Sequence, residues 1–289
     1  MKRLRHLIEA GVVLVLLGIF KMLTLDAASA FGGWIARKVG PLTSADRIAR
    51  RNLARFMPEM GAAERNATIR DLWDNLGRTF GEYPHLAQIA AERVEVTGTD
   101  IVARLREDGM TGICFSGHLA NWELLPIVAA QQGVELTGVY RRPNNPFVDR
   151  IVLKLREPAG GRLVPKGSEG AREILKAMLA GQHLGLLIDQ KMNDGMAVPF
   201  FGTDAMTAPA AAQLALRFKC PLVPVHPVRL QGANFRLDVL EPLVLPASGN
   251  KNADSLALMS EINRLLEAWI RENPAQWLWI HNRWPKSKI

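Results

Sequence analysis

Between Thr111 and Pro126 the chain reads T-G-I-C-F-S-G-H-L-A-N-W-E-L-L-P, which sets His118 five residues ahead of Glu123. A histidine beside a carboxylate is a common way to hold one imidazole tautomer and raise its basicity, so that the other ring nitrogen can take a proton from a hydroxyl. The chemistry on offer is general-base activation of an alcohol. A five-residue step on an ideal helix rotates about 140°, so two helical residues at that spacing point apart. His118 is therefore expected at or just before a helix N-cap, where the Ser116-Gly117 turn lets the imidazole swing back toward Glu123. A buried structural histidine followed by a first-turn glutamate that suits the helix dipole fits the same pattern.

Two further groups of residues sit where ligands are usually met. Tyr140-Arg141-Arg142-Pro143-Asn144-Asn145-Pro146 follows the end of an apolar run, and paired arginines at a strand end make an anion clamp, with Arg156 and Arg162 as additions. Solvated surface arginines explain the same residues. Leu187-Ile188-Asp189 places a carboxylate at the end of a hydrophobic strand. After it come the apolar Val198-Pro199-Phe200-Phe201-Gly202 and a small-residue helix start at Thr207-Ala208-Pro209-Ala210-Ala211-Ala212-Gln213. Small side chains leave room for a chain-like ligand that Phe200 and Phe201 would wall, although a close helix-to-sheet contact needs the same residues. No metal site is expected, because the histidine–glutamate spacing is not the i,i+4 step of a helical zinc pair.

The elements that must hold these residues follow from periodicity. Strands are expected at Ile113–Phe115, Leu136–Tyr140, Leu184–Asp189, Leu222–Val228 and Phe235–Leu240. Helices are expected at Glu123–Gln132, Phe147–Glu157, Glu169–Ala180, Ala208–Phe218 and Asn252–Arg271, the alternation of an α/β sheet with crossover helices. Ahead of them, Pro41–Arg55 and Ala62–Ala91 carry helical patterns. The first forty residues hold an uncharged run, Ala10–Phe20, flanked by basic residues, then an amphipathic Phe31–Val39. Eleven apolar residues are too few to span a bilayer, which needs about 20, so a shallowly inserted helix is expected. A cleavable export signal ending at Ala28-Ser29-Ala30 is the competing reading.

The 289 residues carry 36 Lys+Arg against 28 Asp+Glu, a formal net charge of +8 that favours an anionic partner. The basic residues are dispersed and no nucleic-acid-binding signature occurs. Four of the seven tryptophans follow Ala268, and with the N-terminus they point to an anionic membrane surface. Cys114 and Cys220, each in an apolar run, read as buried free thiols.

Taken in order, the segments resemble the lipid A biosynthesis late acyltransferases of the lauroyl/myristoyl type, a branch of the H-x-x-x-x-D/E glycerolipid acyltransferase superfamily. The resemblance rests on Asn52-Leu53 with Phe56-Met57-Pro58-Glu59, Asn75-Leu76-Gly77-Arg78 with Glu82, and Gly117-His118 through Glu123. It continues through Tyr140-Arg141 with Asn145-Pro146, Asp189-Gln190, Val198 to Gly202, and the tail Pro274-Ala275-Gln276-Trp277-Leu278-Trp279-Ile280-His281-Asn282-Arg283-Trp284. It runs nearly end to end. Glu at position 123, where glycerol-phosphate acyltransferases usually carry Asp, leans toward the lipid A branch, and Thr207-Ala208-Pro209-Ala210 departs from the glycine-containing turn of many relatives.

The resemblance implies an α/β fold with a mixed central sheet and flanking helices, glycerol-3-phosphate acyltransferase-like, preceded by N-terminal membrane-associated helices. Residues 1–40 would be the membrane-associated segment and 41–289 the acyltransferase domain, divided into a helical lead-in, 41–92, and an α/β core, 93–289. It implies acyl transfer from acyl carrier protein to a hydroxyl of a lipid A precursor at the cytoplasmic side of a bacterial inner membrane. No cofactor is implied, only acyl-ACP or acyl-CoA as co-substrate. His118 would be the general base, oriented by Glu123, with no covalent acyl-enzyme. Arg156 or backbone N–H groups would steady the oxyanion, and Arg141 and Arg142 would hold phosphate on the acceptor or the carrier. Asp189, Phe200, Phe201 and Thr207 would contact substrate. A lysophospholipid or other membrane-lipid O-acyltransferase, or a non-catalytic membrane-surface protein, are the alternatives.

Overall fold

A computed structural model describes residues 2–140, 142–156, 162–165 and 167–284. The chain opens with five helices: α1 (Lys2–Met22), α2 (Leu25–Val39), α3 (Ser44–Phe56), α4 (Ala62–Glu82) and α5 (Leu86–Glu92). The Thr24 hydroxyl accepts from Ala27 N–H and caps α2. α2 lies against α4 through glycines on both sides, and a Cβ added at Gly77 would meet the carbonyl oxygen of Gly32 at 2.2 Å. Ser29 in α2 is fully buried and donates its hydroxyl proton to Glu82 of α4 at 2.7 Å. Ala28 and Ser29 are thus buried in the contact of α2 with α4, whereas Ala30 is exposed. Among the described residues no helix is long and apolar enough to cross a membrane. α1 nonetheless turns Leu4, Leu7, Ile8, Val12, Leu14 and Val15 to the outside.

The α/β portion runs β1 (Val94–Thr97), α6 (Thr99–Glu107), β2 (Ile113–Ser116), α7 (Leu124–Gln131), β3 (Leu136–Tyr140), α8 (Pro146–Arg156), β4 (Leu163–Pro165), α9 (Ser168–Leu179) and β5 (His183–Leu187). A β6–β7 hairpin follows (Lys191–Phe200 and Thr203–Thr207), then α10 (Ala210–Phe218), β8 (Leu222–Arg229), β9 (Phe235–Val239) and α11 (Lys251–Glu272). Among the described residues the main sheet has seven strands in the order β1-β9-β8-β2-β5-β3-β4, of which only the β8–β9 pairing is antiparallel. This is the mixed, mostly parallel sheet with flanking helices that the pattern predicts. β2 lies inside it, buried along its whole length, which is why it reads as a continuous apolar run and not an alternating one.

Alternate residues of β2 divide the interior. Ile113 and Phe115 belong to the larger core with α10, α11 and the C-terminal tail, whereas Cys114 belongs to a smaller cluster with α6. Cys114 and Cys220 are buried free thiols, as expected. The tryptophans of the tail do not face a membrane: Trp269, Trp277, Trp279 and Trp284 are all buried, and Trp284 stacks on Phe56 at 3.6 Å between centroids. Clustering of these aromatics near the chain end reflects core packing, because the tail folds back across the sheet.

Candidate active site

In a parallel sheet, side chains beyond the carboxyl ends of neighbouring strands meet in one crevice. β2 and β5 are neighbours, with Ser116 opposite Leu187, so the residues two positions further on, His118 and Asp189, face each other. Ile188 N–H donates to the Ser116 carbonyl and extends the ladder to that point. Gly117 lies between them, where an added Cβ would come within 3.4 Å of the Asp189 carboxylate.

Asp189 is completely buried and accepts from His118 Nδ1 at 2.7 Å, from His118 N–H at 2.9 Å and from Trp277 Nε1–H at 2.8 Å. A carboxylate only accepts, so Nδ1 carries the proton and Nε2 keeps its lone pair. Nε2 faces the Gln190 amide at 3.3 Å. Burial disfavours the imidazolium, but the charge and hydrogen bond of Asp189, with the charge of Glu123, outweigh it and hold His118 above its ordinary value of 6.5. The same contact works on Asp189. Burial raises its proton affinity, yet His118, nearby His281 and the His118 N–H bring it well below the usual carboxylate range. His281 itself is pushed down to about 4 by burial, so it is neutral at pH 7.

Glu123 is the N-cap residue of α7, and His118 lies in the non-helical stretch five residues before it. Its carboxylate does not hydrogen-bond to the imidazole. It takes both Arg156 Nε–H, at 2.7 Å, and an Nη2–H of the same guanidinium, and it accepts from Trp122 Nε1–H at 3.0 Å. Glu123 therefore reaches His118 through charge only, while Asp189 supplies the hydrogen bond. Tyr83 lies beside the Glu123–Arg156 pair, where burial and then the Glu123 charge push its hydroxyl above the ordinary phenol range. Between His118 and Glu123 the chain passes through Ala120 at φ 49, a left-handed conformation uncommon for alanine. The Ala120 carbonyl accepts from Asn75 Nδ2 and Thr79 Oγ1, and Asn121 Nδ2 donates to Glu82. Glu82 is in turn paired with buried Arg229.

Trp122, Glu123 and Arg156 also line a cavity of about 400 Å³ whose other walls are mostly apolar, among them Cys114, Val102 and Val239. That size is within the range of small-molecule sites. Phe200 and Phe201, expected to wall an acyl pocket, and Thr207, expected to contact substrate, do not line it. Phe200 and Phe201 pack in the tryptophan cluster, and the Thr207 hydroxyl accepts from Arg283 at 2.6 Å. Ala211, Ala212 and Ala215 of α10 are fully buried, so the small residues serve close helix packing. Arg142 is exposed at the end of β3, and Arg162 is paired with Glu173. Arg141 lies outside the described residues. Among those described, no cluster of acidic, histidine or cysteine side chains could hold a metal ion. The residues that sequence reasoning missed are Tyr83 and the indole of Trp277. Asp189 was singled out, but as a substrate contact and not as the partner of His118.

The family model for the bacterial lipid A biosynthesis acyltransferases matches residues 1–286. A lipid A biosynthesis myristoyltransferase of Escherichia coli (strain K12) is 25% identical over 244 residues, which cover 82% of this chain and 74% of that protein. A lipid A biosynthesis lauroyltransferase of the same organism is 27% identical over 256 residues, covering 82% and 78%. Lipid A biosynthesis acyltransferase 2 of Shigella flexneri is 23% identical over 254 residues, covering 85% and 80%. A match across the whole chain, on a fold that gathers a histidine, a buried carboxylate and an apolar cavity at one sheet edge, places this protein in the bacterial lipid A biosynthesis acyltransferase family, and so among the acyltransferases.

Proposed function

We propose that the protein transfers a fatty acyl chain from the thioester of acyl carrier protein to a hydroxyl of a lipid A precursor, with His118 as general base. The observation that carries this reading is the tautomer. Asp189 holds the proton on Nδ1 and leaves the Nε2 lone pair available, and Trp122, which meets the imidazole edge-on at 5.1 Å between centroids, lines an apolar cavity able to take an acyl chain. The acceptor hydroxyl, taking the place of the Gln190 amide, gives its proton to Nε2 as its oxygen attacks the thioester carbonyl. Collapse of the tetrahedral intermediate breaks the C–S bond, and the imidazolium returns the proton to the leaving thiolate. Base catalysis of this kind supplies a factor on the order of 10²–10⁴.

Glu123 adds negative charge near the imidazolium and fixes Arg156, whose guanidinium stabilises charge developing on the carbonyl oxygen. The cation at Arg142 suits a phosphate on acceptor or carrier, and the net charge of +8 suits both. α1, basic at Arg3, Arg5 and Lys21 and apolar on its open face, lies along an anionic bilayer surface.

The test is acylation of lipid A precursor extracted from cells lacking the protein, with lauroyl-charged acyl carrier protein as donor. His118→Ala is expected to lower the rate by a factor on the order of 10³–10⁴ while retaining the fold. Wild-type rates in a folded His118→Ala protein overturn the reading, and acylation from lauroyl-CoA at an equal rate overturns the choice of carrier.

A further inference from the structure

The C-terminal tail is the part of the sequence that the proposed chemistry leaves unused, yet it touches the candidate site at two points. Trp277 forms an isolated antiparallel bridge with Leu119, the residue after His118, and Ala120 N–H donates to the Gln276 carbonyl at 2.9 Å. The Gln276 side chain is itself tied down, accepting from Arg229 N–H at 2.8 Å and donating to the Arg229 carbonyl at 2.9 Å. Downstream, Arg283 donates to the Met206 carbonyl and Trp284 Nε1–H to the Phe200 carbonyl. The tail is anchored on both sides of Trp277, so the indole has little freedom to move.

We infer that Trp277 is a positioning residue for acyl transfer: its indole N–H clamps Oδ2 of Asp189 and thereby turns Oδ1 onto His118 Nδ1. The inference rests on the reading of His118 as general base. An Asp side chain can rotate about its last bond through a broad, two-fold range. Here one oxygen is taken by Trp277 Nε1 and His118 N–H, which leaves the other in line with the imidazole. Without the indole donor, only the backbone N–H of the residue being positioned holds that orientation. The geometry also explains a buried tryptophan that spends its one donor on a carboxylate when Trp279, in the same aromatic cluster, spends its own on the Pro274 carbonyl.

Trp279 therefore makes the control. Trp277→Phe and Trp279→Phe both remove an indole from the same cluster, but only the first removes a donor from Asp189. With lauroyl-charged acyl carrier protein and extracted lipid A precursor, Trp277→Phe is expected to lower kcat by about 10- to 100-fold at unchanged KM, the scale of a small misplacement at a reacting centre. Trp279→Phe is expected to keep the wild-type kcat, whatever its melting temperature. Equal kcat for the two variants overturns the inference.

A measurement on the unaltered protein covers the case in which Trp277→Phe does not fold. With indole-¹⁵N tryptophan, the Trp277 N–H resonance, assigned by its absence or shift in Asp189→Asn, is expected to titrate with the same midpoint as kcat. An indole signal that ignores the titration of His118 overturns the inference. His118→Ala run in parallel separates the two ideas. An active His118→Ala removes the base, whereas an inactive His118→Ala beside a fully active Trp277→Phe removes only the clamp.

Discussion

Asp189→Asn isolates the hydrogen bond on which the proposed mechanism depends. The side chains are nearly isosteric, but the amide has one acceptor oxygen where the carboxylate has two, and three N–H groups converge on the site. If the amide oxygen stays on His118 Nδ1, its NH₂ faces the His118 and Trp277 N–H donors and leaves both unsatisfied, at about 1–3 kcal/mol each. If the amide flips, its oxygen satisfies those two donors and its NH₂ donates to Nδ1, which moves the imidazole proton to Nε2. The flip costs at most one exchanged hydrogen bond, so it prevails by roughly 2 kcal/mol or more. The nitrogen that should accept the hydroxyl proton then carries one already.

The expected loss in kcat is on the order of 10³–10⁴ with little change in KM, since the wrong tautomer removes base catalysis and leaves binding intact. Initial rates across pH 5–10 supply a second readout. In the wild type His118 lies above 6.5, so activity is lost as pH falls through that raised value. The Asn variant has lost the charge that opposed burial, so its residual acid limb moves to lower pH. Stability follows the same sign. The imidazolium–carboxylate pair contributes fully below the unfolded histidine value and is lost as pH rises through the folded one, so the variant's deficit in denaturant melts is larger at pH 5.5 than at pH 9. An Asn variant with kcat within threefold of wild type and an unmoved acid limb refutes the argument.

Other outcomes follow from the same geometry. Arg229→Ala leaves Glu82, which is fully buried, without its partner, and is expected to cost about 3–5 kcal/mol in urea unfolding; a loss below 1 kcal/mol contradicts the pairing. Gly77→Ala drives a methyl onto the Gly32 carbonyl, a backbone atom that cannot give way alone, and is expected to cost about 1–3 kcal/mol in the same measurement. The paired change Ile8→Glu and Val15→Glu on the open face of α1 is expected to abolish sedimentation with anionic vesicles while the near-ultraviolet circular dichroism stays that of wild type. Arg156→Ala is expected to lower kcat about 100-fold or more if its guanidinium meets the developing oxyanion, with unchanged kcat as the contrary result.

Strands β2, β3, β5, β8 and β9 were legible because each is a short apolar run bounded by turn residues, and helices α7 to α11 because their faces repeat at helical spacing; β1, a half-buried Val-Glu-Val-Thr, and β4, three residues long, are too short and too mixed to stand out. The β6–β7 hairpin was not legible as a unit, since its first half, Lys191 to Gly195, is mostly polar, has no buried residue and lacks the alternation that marks a half-buried strand. His118 stood out as a titratable side chain just after a buried strand, but its partner did not. Asp189 is 71 residues away, and only the register of β2 on β5 brings the two together. Glu123 was the nearer carboxylate in sequence and drew the assignment, while Arg156, which occupies it, lies on another element. The tail misled for a related reason. Tryptophans crowded near a chain end match a membrane-interface pattern as well as a core pattern, and local sequence does not say which surface will cover them.

The glycine contact between α2 and α4 bears on how this protein can be handled. Deleting residues 1–40 to obtain a version free of the exposed apolar helix would strip the packed partner from α4. That is the helix whose Asn75, Thr79 and Glu82 brace the loop between His118 and Glu123. The truncated chain would expose Gly77 and Gly81, residues with no side chains of their own to shield the backbone, and would leave Glu82 without Ser29. Detergent or lipid nanodiscs around the full chain, with polar substitutions confined to α1, are the route that leaves this bracing intact.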